Sequence, residues 1–344
     1  MKNDFWKNKK VLITGHTGFK GSWLSLVLKN FGAKVYGVSH KKGPGVYNII
    51  KLSEIFEEEL ISNITDNFEE VNTFVNKIKP EIIFHFAAQS LVPYAYLKPK
   101  ETIETNILGT YNVLNISNSC KSVKTLIIAT TDKVYLNSDE WNTEESFLGG
   151  KEFYSVSKVA AEEIISSFKS LYKRNDLNIS IIRSGNVIGG GDRGENRLTT
   201  DVLNSIINEK PITIRNPNSI RPWQYILDSL DGYIKAAEYS TLKNKSEIFN
   251  LNSEHNNKYT VEYLIEKYKL LWKSKIKIEV KRENDLTESF VLRLDSSKAR
   301  KILNWEPKVL IDETIENIVN WEKHHLNSQS IEYTINEINN YYEV

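Results

Sequence analysis

Tyr154 and Lys158 stand four residues apart in Tyr154-Ser155-Val156-Ser157-Lys158. On a helix this spacing puts both side chains on one face. An ammonium beside a phenol favours the phenolate, so the pair predicts a tyrosine of lowered pKa. Such a phenolate takes the proton of a hydroxyl while hydride leaves the same carbon. A second group, Thr130-Thr131-Asp132-Lys133, brings hydroxyl, carboxyl and amine together just past the apolar run 125–130. A purely structural reading would make Asp132 a helix cap and Lys133 a surface charge.

Those residues need elements to carry them. Val11-Leu12-Ile13 reads as a short buried strand, and Trp23, Leu24, Leu26, Val27 and Leu28 open a helix. Between them Gly15, Gly18 and Gly21 follow the spacing G-x-x-G-x-x-G. Gly15 permits the tight turn, Gly18 the approach of a pyrophosphate, and Gly21 close packing of helix on strand. Free amides at the helix start then face phosphates. A dinucleotide site is expected there, against the plainer reading of a glycine-containing loop. Further strands are expected at 34–39, 58–64, 81–87, 125–130 and 179–184, with helices at 68–78, 103–119 and 154–172. The alternation predicts an α/β, Rossmann-type doubly wound parallel sheet with a smaller C-terminal substrate-binding lobe. The dinucleotide domain is expected over 1–187, rejoined by 222–252, and the lobe over 188–221 and 253–344. Ligands on such sheets bind at the carboxyl ends of the strands, where the motifs fall.

After the second strand, where an acidic residue often takes the ribose hydroxyls, the chain has Ser39-His40-Lys41-Lys42. Lys41 and Lys42 suit a 2′-phosphate or simply form a solvated basic loop, so NAD and NADP both stay open. Asn63 and Asp66 follow the third strand, within reach of an adenine edge. Ala87-Ala88 are small enough to admit a cofactor backbone. Beyond the sixth strand, Gly189-Gly190-Gly191-Asp192 enters the lobe, where Arg193, Arg197, Arg215 and Arg221 are candidates for a diphosphate. Trp223 and Tyr225 would stack on a base or pack. The segment 226–239 returns to the first lobe as a helix, Trp305 and Trp321 complete the small lobe, and 331–344 is an amphipathic helix packing peripherally.

The 344 residues are 40% hydrophobic and 26% charged, with a net charge of +1. That balance fits a soluble globular protein and builds no field for nucleic acid or membrane. One cysteine, Cys120, excludes an internal disulfide framework, fits a reducing compartment and reads as a buried apolar residue. The polar, basic start lacks the apolar core of a signal peptide, so a cytoplasmic location is expected. No metal site is expected.

The whole pattern resembles the extended short-chain dehydrogenase/reductase family, and within it the nucleotide-sugar 4,6-dehydratases. Phe5-Trp6, the run from Thr14 to Leu24, His85-Phe86-Ala87-Ala88-Gln89-Ser90-Leu91-Val92 and the run from Arg183 to Asp192 are most similar to the CDP-glucose branch. So are Ile214-Arg215-Asn216-Pro217 and Arg221-Pro222-Trp223-Gln224. Asp295-Ser296-Ser297-Lys298-Ala299 and Leu303-Asn304-Trp305-Glu306-Pro307 resemble the C-terminal signature of the extended family.

The resemblance implies an internal redox cycle on a nucleotide-activated hexose, yielding a 4-keto-6-deoxy sugar for deoxysugar biosynthesis. Tyr154, with Lys158, would deprotonate the 4-hydroxyl, Thr131 would hold O4, and Asp132 would be the acid at O6. Asp132 must then have a raised pKa. Lys133 stands where most such enzymes have glutamate. It is either the C5 base or a stabiliser of the enolate. The cofactor contacts implied are Gly15, Thr17, Gly18, Phe19, Lys20, Gly21, His40, Lys41, Ile64, Asp66, Ala87, Ala88, Gln89, Asn106, Tyr154 and Lys158. The substrate contacts implied are Ser90, Asn186, Arg197, Leu198, Arg215, Arg221 and Gln224. The helices at 103–119 and 154–172 would pair across a two-fold, giving a homodimer or a dimer of dimers. The base of the nucleotide stays open, as does a 4-epimerase of the same fold, which would need no Asp132-Lys133 pair.

Overall fold

The computed structural model describes residues 4–136, 140–172, 174–214, 216–253, 259–281 and 293–343. A seven-stranded parallel sheet carries the fold. Its strands are β1 (Lys10–Thr14), β2 (Lys34–Ser39), β3 (Glu58–Ile61), β4 (Ile82–His85), β5 (Thr125–Thr131), β6 (Asn178–Ser184) and β7 (Ile248–Leu251). Their order is β7-β6-β5-β4-β1-β2-β3. The helices of ten residues or more are, in chain order, α1 (Phe19–Asn30), α2 (Phe68–Ile78), α3 (Gly109–Ser119), α4 (Phe153–Leu171), α5 (Leu198–Ile207), α6 (Ile226–Lys243), α7 (Val261–Trp272), α8 (Ile311–Leu326) and α9 (Ser330–Tyr342).

The central strands are apolar on both faces because helices cover both. One face packs Val11, Ile13, Phe84 and Ile182 against α1 and α6. The other packs Leu12, Ile83, Leu126 and Ile128 against α2, α3 and α4. Cys120 is buried in this second core, as an apolar residue would be. The doubly wound sheet expected from the alternation is present. β7 was not foreseen; its residues Ile248-Phe249-Asn250-Leu251 extend β6 in register. A run of four residues is short enough to resemble a helix end as much as a strand.

A third core joins Val202, Leu203, Leu264, Ile315 and Val319 from α5, α7 and α8 with Trp223 from the loop before α6. Trp305 and Trp321 do not stay within it. Both are fully buried in the core of the main sheet, beside Trp6, Trp23 and Tyr233. Helix α9 is likewise more than a peripheral cover. Its Glu337 accepts a short bond from Tyr225, and its Tyr341 hydroxyl donates to Asp228 at 2.8 Å. Tyr225 is packed at 1% exposure, while Trp223, at 4%, packs in the third core and also lines the cleft at the carboxyl edge of the sheet.

The helix expected at 103–119 is interrupted. A short helix, Pro99–Ile103, runs into a π-helical turn, Glu104–Leu108, before α3 begins. The extra residue per turn carries Asn106 inward. There it donates to the Ser157 hydroxyl at 2.8 Å and exchanges bonds of 2.9 Å with the Gln89 backbone.

Candidate active site

At the carboxyl edge of the sheet, β1 turns into α1 through Gly15, whose φ is +76°. A side chain there would press on Ala87 N at 2.7 Å, and one at Gly21 would meet Gly15 O at 2.2 Å. Only glycines let loop, helix and β4 approach so closely. The first turn of α1 carries no acidic residue and Gly18 offers its amides no side-chain cap. The cradle therefore fits a diphosphate, as the helix dipole requires.

β5 ends at Thr131 and runs straight into a turn, Asp132–Val134. The Thr131 hydroxyl accepts from the Lys133 amide at 3.3 Å and donates to Asp132 Oδ1 at 2.9 Å. Thr131, not Asp132, is thus the cap of this turn. Asp132 is 2% exposed and its Oδ2 is without a hydrogen-bond partner. Burial raises its pKa, against the pull of Lys133, Thr131, Arg221 and Lys20. The raised pKa that an acid at this position requires is present in direction. Lys133 is half-buried beside it.

Tyr154 and Lys158 leave α4 one turn apart. Glu152 starts that helix with a capping box, accepting from the Tyr154 and Ser155 amides at 2.6 and 2.8 Å. Lys158 donates to the Ala129 carbonyl at 3.2 Å. Burial pulls its ammonium down to about 8, against the attraction of Glu162. The expected lowering of the tyrosine is not found. Burial pushes Tyr154 up to about 12, aided by the Asp132 and Glu152 charges, while Thr131 and Arg197 pull it down. Desolvation of the phenolate outweighs the nearby cations because the ring lies at the bottom of the cleft.

These groups share one cleft of about 550 Å³. Of the predicted residues, Gly15, Gly18, Phe19, Lys20, Gly21 and Ala88 line its dinucleotide side, and Thr131, Asp132, Lys133, Tyr154 and Lys158 its floor. Ser90, Asn186, Arg197, Leu198 and Arg221 line the lobe side. Burial lowers Lys20 to about 7, with the Arg197 and Lys158 charges acting the same way. Arg197 is held by Asp192 at 2.6 Å and reaches Ser90 Oγ at 3.3 Å.

The other predicted residues are not part of the lining. The Thr17 hydroxyl donates to the Lys41 carbonyl at 2.6 Å, and Ala87 N donates to Thr14 Oγ1 at 3.3 Å. Ile64 is in the second core, and Asp66 accepts from Asn63 at 2.7 Å on the surface. Gln89 and Asn106 bond each other as described above, and Gln224 is fully buried, accepting from Ser184 Oγ at 3.2 Å. His40 and Lys41 are exposed at the end of β2, whereas Lys42 is paired with Glu59 of β3 at 3.3 Å. Arg193 is committed to Glu322 through two bonds of 2.7 Å. Arg215 lies outside the described residues. Sequence reasoning missed Asp192 and Asp201 in the lining. The signal for Asp192 was its place five residues before Arg197, close enough in a loop to pair with it.

The family model for GDP-mannose 4,6 dehydratase matches residues 12–318. The chain belongs to this family. It is 38% identical over 327 residues to CDP-glucose 4,6-dehydratase of Salmonella typhimurium, covering 92% of this chain and 90% of that protein. Solved structures of similar fold include an epimerase from Methanothermobacter thermautotrophicus, at a TM-score of 0.84 and 24% identity over 95% of each chain. Another is UDP-glucuronic acid 4-epimerase from Bacillus cereus, in complex with UDP-glucuronic acid and NAD, at a TM-score of 0.80 and 22% identity. That match covers 92% of this chain and 99% of the epimerase. Among the described residues no helix is long and apolar enough to cross a membrane.

Proposed function

We propose that the protein is an NAD-dependent nucleotide-sugar 4,6-dehydratase, a hydro-lyase, acting on CDP-glucose. The observation that carries this reading is Asp132, a buried carboxyl of raised pKa with an unpartnered oxygen on the floor of the cleft. Elimination of water needs an acid that is protonated at neutral pH. A 4-epimerase needs none. The 38% identity to a CDP-glucose 4,6-dehydratase supports the substrate.

The glycine cradle, with Lys158 and Tyr154 at its far end, fits NAD, which when bound would take up the C4 hydride, return it to C6 after water has left, and bring a cationic ring favouring the phenolate. Pairing of Lys42 with Glu59 leaves less charge for a 2′-phosphate and supports NAD over NADP. Tyr154 takes the proton of the sugar 4-hydroxyl, and the Thr131 hydroxyl steadies O4. With the 4-ketone formed, the C5 proton is acidic, and Lys133 stands beside Asp132 to remove it or to steady the enolate. Asp132 gives its proton to the departing 6-hydroxyl. Arg197 and Arg221 hold the diphosphate on the lobe side. Exposed apolar residues on the Pro99–Ile103 to α3 run and on α4 (Ile103, Leu108, Tyr111, Phe153 and Val156) support a homodimer built on these helices.

The test is incubation with CDP-, dTDP-, GDP- and UDP-hexoses and their N-acetyl forms in heavy water, read by mass spectrometry. CDP-glucose is expected to give a 4-keto-6-deoxy product with one deuterium, at C5. Product from another nucleotide alone would overturn the substrate, and a merely epimerised sugar would overturn the reaction.

A further inference from the structure

Outside the reacting groups the cleft rests on a buried ion pair that the mechanism does not use. Glu162, on α4, lies one helical turn beyond Lys158 and on the same face. Its carboxylate is 4% exposed and Arg183, on β6, is 2% exposed. Arg183 Nη2 donates to Glu162 Oε2 at 2.5 Å, and its Nε to both oxygens at 3.1 Å. The Thr130 hydroxyl donates to Glu162 Oε1 at 2.7 Å. Arg183 Nη1 goes on to the Tyr135 hydroxyl at 2.9 Å and the Glu144 carbonyl at 3.1 Å.

The register of these bonds is informative. Lys158 is held by the carbonyl of Ala129 and Glu162 by the hydroxyl of Thr130, adjacent residues of β5. The next two residues are Thr131 and Asp132, and the residue one turn back on the helix is Tyr154. Strand and catalytic helix are therefore pinned at two successive turns, which fixes Tyr154 against Thr131. A third consequence is electrostatic. Glu162 is the anion whose charge acts on Lys158, and the other titratable groups around that ammonium are Tyr154 on α4 itself, Lys20 from α1 and His85 from β4. His85 is driven by burial down to about 3 and brings no compensating charge.

We infer that Glu162 is a positioning residue: held by Arg183 and Thr130, it locks α4 to the end of β5 and keeps Lys158 charged beside Tyr154. The inference deepens the proposed dehydratase reading but does not need it, because the charge on Lys158 can be followed without turnover. Protein labelled with ¹³C at lysine Cε is titrated by NMR, with the Lys158 resonance identified by its loss in Lys158→Met. In Glu162→Gln, which keeps shape and removes charge, the midpoint should fall by about one pH unit, a tenfold loss of proton affinity. Glu162→Gln leaves Arg183 buried and unpaired and can fail to fold, so Glu162→Gln/Arg183→Gln is the second variant. It removes the cation as well, and its midpoint should fall by less than that of the single variant. The basic limb of the pH–rate profile should move down with the midpoint. A midpoint unchanged in both variants, with only a lowered melting temperature, would overturn the inference. A shifted midpoint in a protein that turns over no nucleotide sugar would leave it standing and overturn the proposed function instead.

Discussion

Two buried carboxyl groups flank the contact between β5 and α4, Asp132 at 2% exposure and Glu162 at 4%. Equal burial leads them to different roles. Glu162 has a guanidinium and a hydroxyl on its oxygens. Asp132 has one hydroxyl on Oδ1 and nothing on Oδ2, and its pKa is raised. A low-polarity site penalises a charge that is not matched and tolerates one that is. The partner, rather than the depth, separates a carboxyl built into the scaffold from one left with an open oxygen and a raised pKa. The hydrogen-bond vacancy at Asp132 is where a substrate hydroxyl would fit.

Breaking the matched group should have the largest effect. Glu162→Ala strands Arg183 in the core and should cost about 3–5 kcal/mol of stability. Denaturant unfolding measures this. Replacing the pair together, Glu162→Leu with Arg183→Met, should recover most of that loss. A single-variant cost near that of a surface pair, under about 1 kcal/mol, would mean that water reaches the guanidinium.

Removing the unmatched group should act on rate and not on folding. Asp132→Asn should lower dehydration by roughly 10²–10⁴-fold, the usual contribution of a general acid. Its neutral-pH stability should stay level or rise, because a carboxyl that folding makes harder to ionise weakens the fold once it must ionise. Exchange of the sugar C5 proton with deuterated solvent should survive, since Tyr154, Thr131 and Lys133 remain to oxidise C4 and enolise C5.

The same contrast has a pH signature. The folded-state pKa of Asp132 lies above the 3.8 of an ordinary aspartate. Between those two values the folded chain binds more protons than the unfolded one, so this group's contribution to stability falls as pH rises through the window. Comparing unfolding free energies of the parent and Asp132→Asn across that window should show the parent losing ground with rising pH. Equal slopes would mean that Asp132 ionises as freely folded as unfolded.

How much of this was legible in the chain follows the range of the interactions. The glycine turn, the Tyr154/Lys158 spacing and the Thr131-Asp132-Lys133 run are local, and all line the cleft. Local spacing also placed β2 and α2 at their observed bounds. The misses are non-local. Arg193 was grouped with the diphosphate candidates because nothing nearby revealed Glu322, 129 residues on. The π-helical turn at Asn106 answers to Gln89 and Ser157, not to its own neighbours. Tyr154 was misjudged for the same reason: spacing discloses the lysine, but the burial that outweighs it is a property of the folded cleft. Glu162 was the recoverable omission, four residues past Lys158 on the same face.

The smallest effect concerns a third carboxyl group, Glu59, matched like Glu162 but more exposed than either of the other two. Glu59 is partly exposed and holds Lys42 at 3.3 Å, His16 at 3.1 Å and the Tyr47 hydroxyl. Because two partners remain when one is lost, Lys42→Ala should cost under about 1 kcal/mol in thermal unfolding. Its effect on cofactor choice should be equally slight, since an ammonium already paired has little attraction left for a 2′-phosphate. Glu59→Gln is the informative complement. It releases Lys42 beside Lys41, and titration with NADP should then tighten several-fold while NAD binding holds. If instead Lys42→Ala alone weakened NADP as much as Glu59→Gln strengthened it, the pairing would not be what restrains the loop. Glu59 would then belong with Asp132 as an available group and not with Glu162 as a committed one.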